Sequence, residues 1–164
     1  MSRSGSFKHG EGGFTLIEAL VALVLLSLGL LGAGGMLLGS LQSHADALHE
    51  MAAAQLVRDM ADRIRANPRA GAAYDSRTAT PLARSCDLAA PCTVAELAAA
   101  DLADFFESAQ RLLPGRQTHA TVQFAPATGP AAADRFAITL NWRGPHDGEI
   151  RVVALSLLAP PVAG

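Results

Sequence analysis

Lysine is nearly missing from this 164-residue chain: Lys8 stands alone beside twelve arginines. The net charge is -2 and no long run of either sign occurs, so nothing resembles the basic stripe of a nucleic-acid binder. Set against abundant Ala, the Lys deficit reads as a base-composition bias of the source genome. Cysteine is equally scarce, with only Cys86 and Cys92. No second Cys or His pair with ligand spacing accompanies them, which speaks against a structural zinc site. The histidines (His9, His44, His49, His119 and His146) are scattered. His44 and His49 are five apart, a spacing that does not put them on one helix face. A Gly-x-Ser-x-Gly elbow and a P-loop are also missing. Asp101, Asp104 and Glu107 form an acid-rich stretch, expected as solvated helix surface; the alternative, a calcium or partner site, lacks a surrounding loop of oxygen ligands. No catalytic residue, metal or cofactor is expected.

Charge is absent altogether from Ala19 to Ala45, with His44 counted neutral. Within that stretch, Ala19 to Leu38 is twenty residues whose only polar side chain is Ser27. At about 1.5 Å per residue this run reaches about 30 Å, the thickness of a bilayer's hydrocarbon core. A cleaved secretory signal would have a shorter apolar region with its small-residue cut site after it. A buried core helix is the other rival, but so long an uncharged stretch is uncommon in a small soluble domain. Arg3 and Lys8 precede the span, so the positive-inside rule puts the N-terminus in the cytoplasm and the rest of the chain across the membrane. One carboxylate, Glu18, lies just inside the apolar run. An acid in a bilayer costs roughly 2.5–3.5 kcal/mol at mid-depth, less near the edge, and marks a functional position by default.

The junction itself reads Gly13-Phe14-Thr15-Leu16-Ile17-Glu18. This run resembles the processing and assembly signature of type IV prepilins and pseudopilins. The resemblance implies that a membrane prepilin peptidase cuts after Gly13 and N-methylates Phe14. It also implies that Glu18, fifth in the mature chain, serves assembly. The new Phe14 ammonium of a neighbouring subunit would neutralise Glu18 as helices pack side by side, a pairing favoured because the unpaired alternative is so poor. The rival reading leaves Glu18 solvated at the headgroup boundary. Beyond the span, the block Gln55 to Asn67 (Gln-Leu-Val-Arg-Asp-Met-Ala-Asp-Arg-Ile-Arg-Ala-Asn) with Tyr74 is similar to PilV-type minor pilins, also called type IV pilus modification proteins.

Glycines punctuate the span at Gly29, Gly32, Gly34, Gly35 and Gly39. Gly35 and Gly39 make a GxxxG pair, and Gly29 with Ala33 a small-xxx-small pair, both suited to close helix packing in a membrane. Each Gly also costs roughly 1 kcal/mol in helix propensity, so bending or partial unwinding during assembly is the second reading. Both stay open. After the span, Leu48, Ala52, Leu56, Met60 and Ile64 recur every four residues and predict an apolar stripe. Asp59 precedes Arg63 by four, the spacing of a surface ion pair. Asn67-Pro68 ends the helix, because Pro cannot continue the hydrogen-bond ladder.

Four segments are expected: leader 1–13, removed; transmembrane and assembly half of the helix 14–41; extracytoplasmic half 42–67; and an α+β head 68–164. In the head, Arg69 to Pro91 reads as loop around the Cys pair. Cys86 and Cys92 enclose five residues, and in an exported domain such a pair is expected to form a disulfide. A two-ligand metal site is its alternative. Thr93-Val-Ala-Glu96 fits a capping box. The helix it opens carries Leu97, Leu102, Phe105, Phe106, Ala109, Leu112 and Leu113, then stops at Pro114-Gly115. Three strands are predicted: Thr118 to Phe124, the alternation Phe136-Ile138-Leu140-Trp142, and Ile150 to Leu158 after the turn Arg143 to Gly148. Their short connections suggest an antiparallel sheet packed on the helix stripe. Pro160-Pro161 closes the chain.

The resemblance therefore implies a structural subunit, a minor pilin that helps prime type IV pilus assembly or sits at or near the tip. Its partners would be the bacterial inner membrane, the prepilin peptidase, other minor and major pilins and the assembly machinery. Its head would be periplasmic before entering the pilus. A minor pseudopilin of a type II secretion system shares the same junction. A different class, an uncut membrane-anchored binding module or adhesin, would show no processing and no need for Glu18.

Overall fold

The computed structural model describes residues 15–86, 90–115, 118–129, 133–145 and 148–159. The leader, the Gly13-Phe14 bond, His9, His146 and Pro160-Pro161 lie outside them. The chain divides into two compact units, Met1–Gln42 and Ser43–Gly164.

The described part of the first unit is helix α1, which spans Leu16–Ala66 and so passes on into the second unit. The leucine-rich run supplies good helix formers, and the five glycines do not interrupt it. Ser27, the polar exception, donates to the Val24 carbonyl at 2.8 Å and leaves no unsatisfied hydroxyl among apolar neighbours.

The second unit is an α+β head. α1 ends at Ala66, with Asn67 non-helical (φ -123°, ψ 58°) ahead of Pro68. Part of the expected loop is instead a 3-10 helix, Pro68–Tyr74. Gly71 sits inside it at φ 45°, a backbone conformation that side-chain-bearing residues rarely adopt. Helix α2 covers Val94–Leu112, opened by the predicted capping box: the Glu96 N–H donates to the Thr93 hydroxyl at 3.2 Å while the Thr93 N–H donates to the Glu96 carboxylate at 2.9 Å. Strands β1 (His119–Ala125), β2 (Asp134–Arg143) and β3 (Ile150–Ala159) form an antiparallel sheet in the order β1-β2-β3. The register pairs Val122 with Ile138 and Ile138 with Leu155.

One face of the sheet is covered. Phe136, Ile138, Leu140 and Trp142 of β2 are buried, as their alternation predicts, together with Val122 and Leu157. They share a core with Val57, Met60 and Ile64 of α1 and with Leu102 and Phe105 of α2. The α1 stripe differs from the expected one. Ala53, Val57, Met60, Ala61 and Ile64 are buried, whereas Leu48 is 56% exposed. A strict four-residue repeat advances about 40° per step on a 3.6-residue helix, so Leu48 lies about 160° around from Ile64. The mixed three-and-four spacing of the observed set stays on one side. In α2 the same geometry leaves Leu97 and Leu112 exposed and brings Ala98 inward.

Candidate functional site

Two constellations carry the chemistry of the chain, one in each unit. In the first, Glu18 lies in the first turn of α1, where the Glu18 N–H donates to the Thr15 carbonyl at 3.0 Å. A carboxylate there is favoured by the positive end of the helix dipole. Around it the surface is apolar: Leu16 is 83% and Ile17 71% exposed. The most apolar eighteen-residue window of α1 has a mean hydropathy of 2.4 and none of it is buried. A soluble core helix of such composition would be covered by its own fold; among the described residues nothing covers this one. A Cβ added at Gly29, Gly32, Gly34, Gly35 or Gly39 would meet nothing within 4 Å. Among the described residues, nothing sterically requires glycine at these positions.

The second constellation locks the end of α1 to α2. The Tyr74 hydroxyl donates to Asp101 Oδ2 at 2.6 Å, and both residues are buried. Asn67 Nδ2 reaches the Tyr74 oxygen at 3.4 Å and the Val94 carbonyl at 2.9 Å, tying the helix stop to the first residue of α2. Arg63 Nη1 donates to Asp101 Oδ1 at 3.0 Å and to Asp104 Oδ2 at 3.2 Å, while its Nε keeps the expected bond to Asp59 at 3.0 Å. Burial opposes the Arg63 charge, yet the three carboxylates outweigh it and raise the pKa above the usual range. Burial, then the hydrogen bond to Asp101, pushes the Tyr74 hydroxyl above its ordinary 10.0. Asp101 is therefore not solvated surface, because the side chains of α1 and the 3-10 helix enclose it; Asp104 and Glu107 remain outside. The quoted block Gln55 to Asn67 with Tyr74 contains Asp59, Arg63, Asn67 and Tyr74, four of the six side chains of this network. Asp101 escaped the sequence because its partners lie 27 and 38 residues away.

Cys86 and Cys92 are joined as a disulfide, with Cα atoms 5.4 Å apart. The chain leaving it is held by Arg84, which pairs with the capping-box Glu96. On the far side of the head, Arg151 of β3 reaches Asp46 at 3.2 Å and also pairs with Glu50, both on α1. Among the described residues, no group of three or more His, Cys, Asp or Glu is arranged to hold a metal.

Apart from Asp104, the residues of both constellations fall inside two family matches. Residues 8–34 match the prokaryotic N-terminal methylation motif, a stretch holding Gly13, Phe14 and Glu18. Residues 35–103 match type IV pilin Tt1218, a stretch holding Arg63, Asn67, Tyr74, both cysteines and Asp101. The two adjoin and together cover more than half of the chain. The chain belongs to the type IV pilin family. No curated protein and no solved structure matches this pilin. Its exposed apolar α1 fits the membrane anchor of a pilin, and its sheet and second helix build the head that the anchor carries.

Proposed function

We propose that this pilin is a minor, PilV-type subunit that enters a type IV pilus and acts in its priming, at or near the tip. Prepilin peptidase cuts between Gly13 and Phe14 on the cytoplasmic side and N-methylates Phe14. Glu18 then takes the Phe14 ammonium of a neighbouring subunit, which sets the register of docking. Gly29, Gly32, Gly35 and Gly39 let helices approach or loosen during that step. The head stays on the periplasmic side until the subunit joins the fibre.

The observation that carries this reading is the junction itself: a methylation motif running straight into an uncovered apolar helix with one carboxylate in its first turn. The match to a type IV pilin over residues 35–103 favours a pilus over a type II secretion system, which shares the motif. The deciding experiment is the N-terminal mass of the chain purified from its own membranes. A chain beginning at N-methylated Phe14 supports the reading. One that retains residues 1–13 rejects processing and leaves a membrane-anchored binding module.

A further inference from the structure

The face that α1 turns to the head continues beyond the core. Ala53 is the first buried residue of α1, followed on the same side by Val57, Met60 and Ile64. Counting back from Ala53 in the same three-and-four spacing gives Glu50 and Asp46. On a 3.6-residue helix all six lie within about 40° of one direction, so the two acids take positions that apolar residues fill further along. The sheet changes character in the same way. In β3 the row facing the helices runs Leu157, Leu155, Val153 and then Arg151, which stands opposite the buried Trp142. Arg151 Nη2 donates to Asp46 Oδ2 at 3.2 Å, and its Nη1 donates to Glu50. Where the apolar contact runs out on both elements, one guanidinium spans two carboxylates a helical turn apart.

Little else in the head holds this part of α1. None of residues 43–52 is buried, and Leu48 and Met51, on the far side of the helix, are 56% and 69% exposed. Among the described residues, Asp46 and Glu50 are the members of the segment whose side chains bond to the sheet. The Asp46 and Arg151 side chains are only 18% and 23% exposed, and Asp46 Oδ1 is buried without a hydrogen-bond partner. An apolar pair at such positions would hold at least as well, because charges withdrawn from water lose most of what their attraction returns. The charged set differs in its open form, where each separated group regains hydration.

We propose that Arg151, Asp46 and Glu50 form a latch that holds residues 43–52 of α1 to the sheet and opens without opening the core. Once open, the segment keeps only the bonds of its own helix, and about ten residues of helix without tertiary support are marginal in water. The latch therefore sets whether α1 is rigid right up to Ala53 or free to bend and fray ahead of it. This device rests on the packing of the head alone and stands whether or not the chain enters a pilus.

Hydrogen–deuterium exchange of the full chain in detergent tests it. In the wild type, the amides of 47–52 should exchange at least roughly tenfold faster than those of 57–64, because the first set opens through the latch and the second through the core. Arg151→Gln should speed 47–52 by about a further tenfold and leave 57–64 and 136–142 within about twofold. The double replacement Asp46→Leu with Arg151→Leu should return 47–52 to wild-type protection or better, which separates release of the latch from damage to β3. Wild-type exchange of 47–52 at the rate of 57–64 would overturn the inference. So would no acceleration in the Gln variant, acceleration spread evenly over the head, or equal losses in the Gln variant and the Leu pair.

Discussion

The Tyr74 hydroxyl donates to the Asp101 carboxylate at 2.6 Å, joining the 3-10 helix to α2 across 27 residues of sequence. Tyr74 is fully buried, so this bond is made where water cannot replace it. It places the head of the pilin on the last turns of α1, and the consequences can be measured.

Tyr74→Phe keeps the ring against Phe136 but leaves Asp101 Oδ2 and Asn67 Nδ2 short of a partner. Loss of about 1–3 kcal/mol is expected from an unsatisfied buried group, read by denaturant unfolding of the full chain in detergent. The wild-type hydroxyl has a raised pKa, so its contribution is complete below 10.0 and is lost as pH rises through the folded value. Alkaline unfolding should therefore become flatter in the Phe variant.

Arg63 and Arg65 sit on the same helical turn and pair with acids, yet their neighbourhoods differ. The carboxylate of Asp101 opposite Arg63 is 12% exposed, whereas Asp62 opposite Arg65 is 73% exposed. Arg63→Ala should cost on the order of 2 kcal/mol or more by stranding a buried carboxylate. Arg65→Ala should cost about 0–1 kcal/mol. Equal losses in thermal unfolding would contradict the network.

Hydrogen bonds from Arg77, working against burial, hold the Asp75 carboxyl at about 2 instead of 3.8. A depressed carboxylate contributes stability that is complete above 3.8 and lost as pH falls through about 2. Arg77→Gln should raise the acid midpoint of unfolding into that window. A midpoint unchanged from wild type would show that the pair does not govern acid stability.

Closing the short loop between Cys86 and Cys92 contributes about 2 kcal/mol in the chain-entropy description. Non-reducing mass spectrometry of the exported chain should find the two residues linked, and the double Ser variant should unfold earlier by that amount. Two free thiols in exported protein would refute the bond.

Glu18→Ala should leave the pilin in the membrane but remove it from sheared fibres, since the apolar span is intact and only the charge proposed to meet Phe14 is gone. Equal recovery in fibres, judged by immunoblot, would remove the docking role.

Much of the fold was legible along the chain. The stop at Asn67-Pro68, the Thr93 and Glu96 capping box and the alternation from Phe136 to Trp142 are local devices, each complete within a few residues. The errors share a cause. The Leu48-to-Ile64 stripe counted every fourth residue and drifted around the helix, and the 3-10 turn at Pro68–Tyr74 was hidden in a Gly- and Ala-rich stretch. Asp101 looked like its solvated neighbours because nothing adjacent marks it for burial.

What the sequence by itself determined is the junction at Gly13-Phe14, the uncharged span behind it and the order of helices and strands. Those are set by spacing, charge and propensity between near neighbours. Only the tertiary structure decided that Arg63, Asn67 and Tyr74 converge on Asp101, and that Arg151 reaches back 101 and 105 residues to Glu50 and Asp46. It alone decided that Ser76 and Arg77 bond the β1 edge at Val122 and Phe124. Such pairings depend on how folded elements stack, and local pattern does not encode which face of one element meets which face of another.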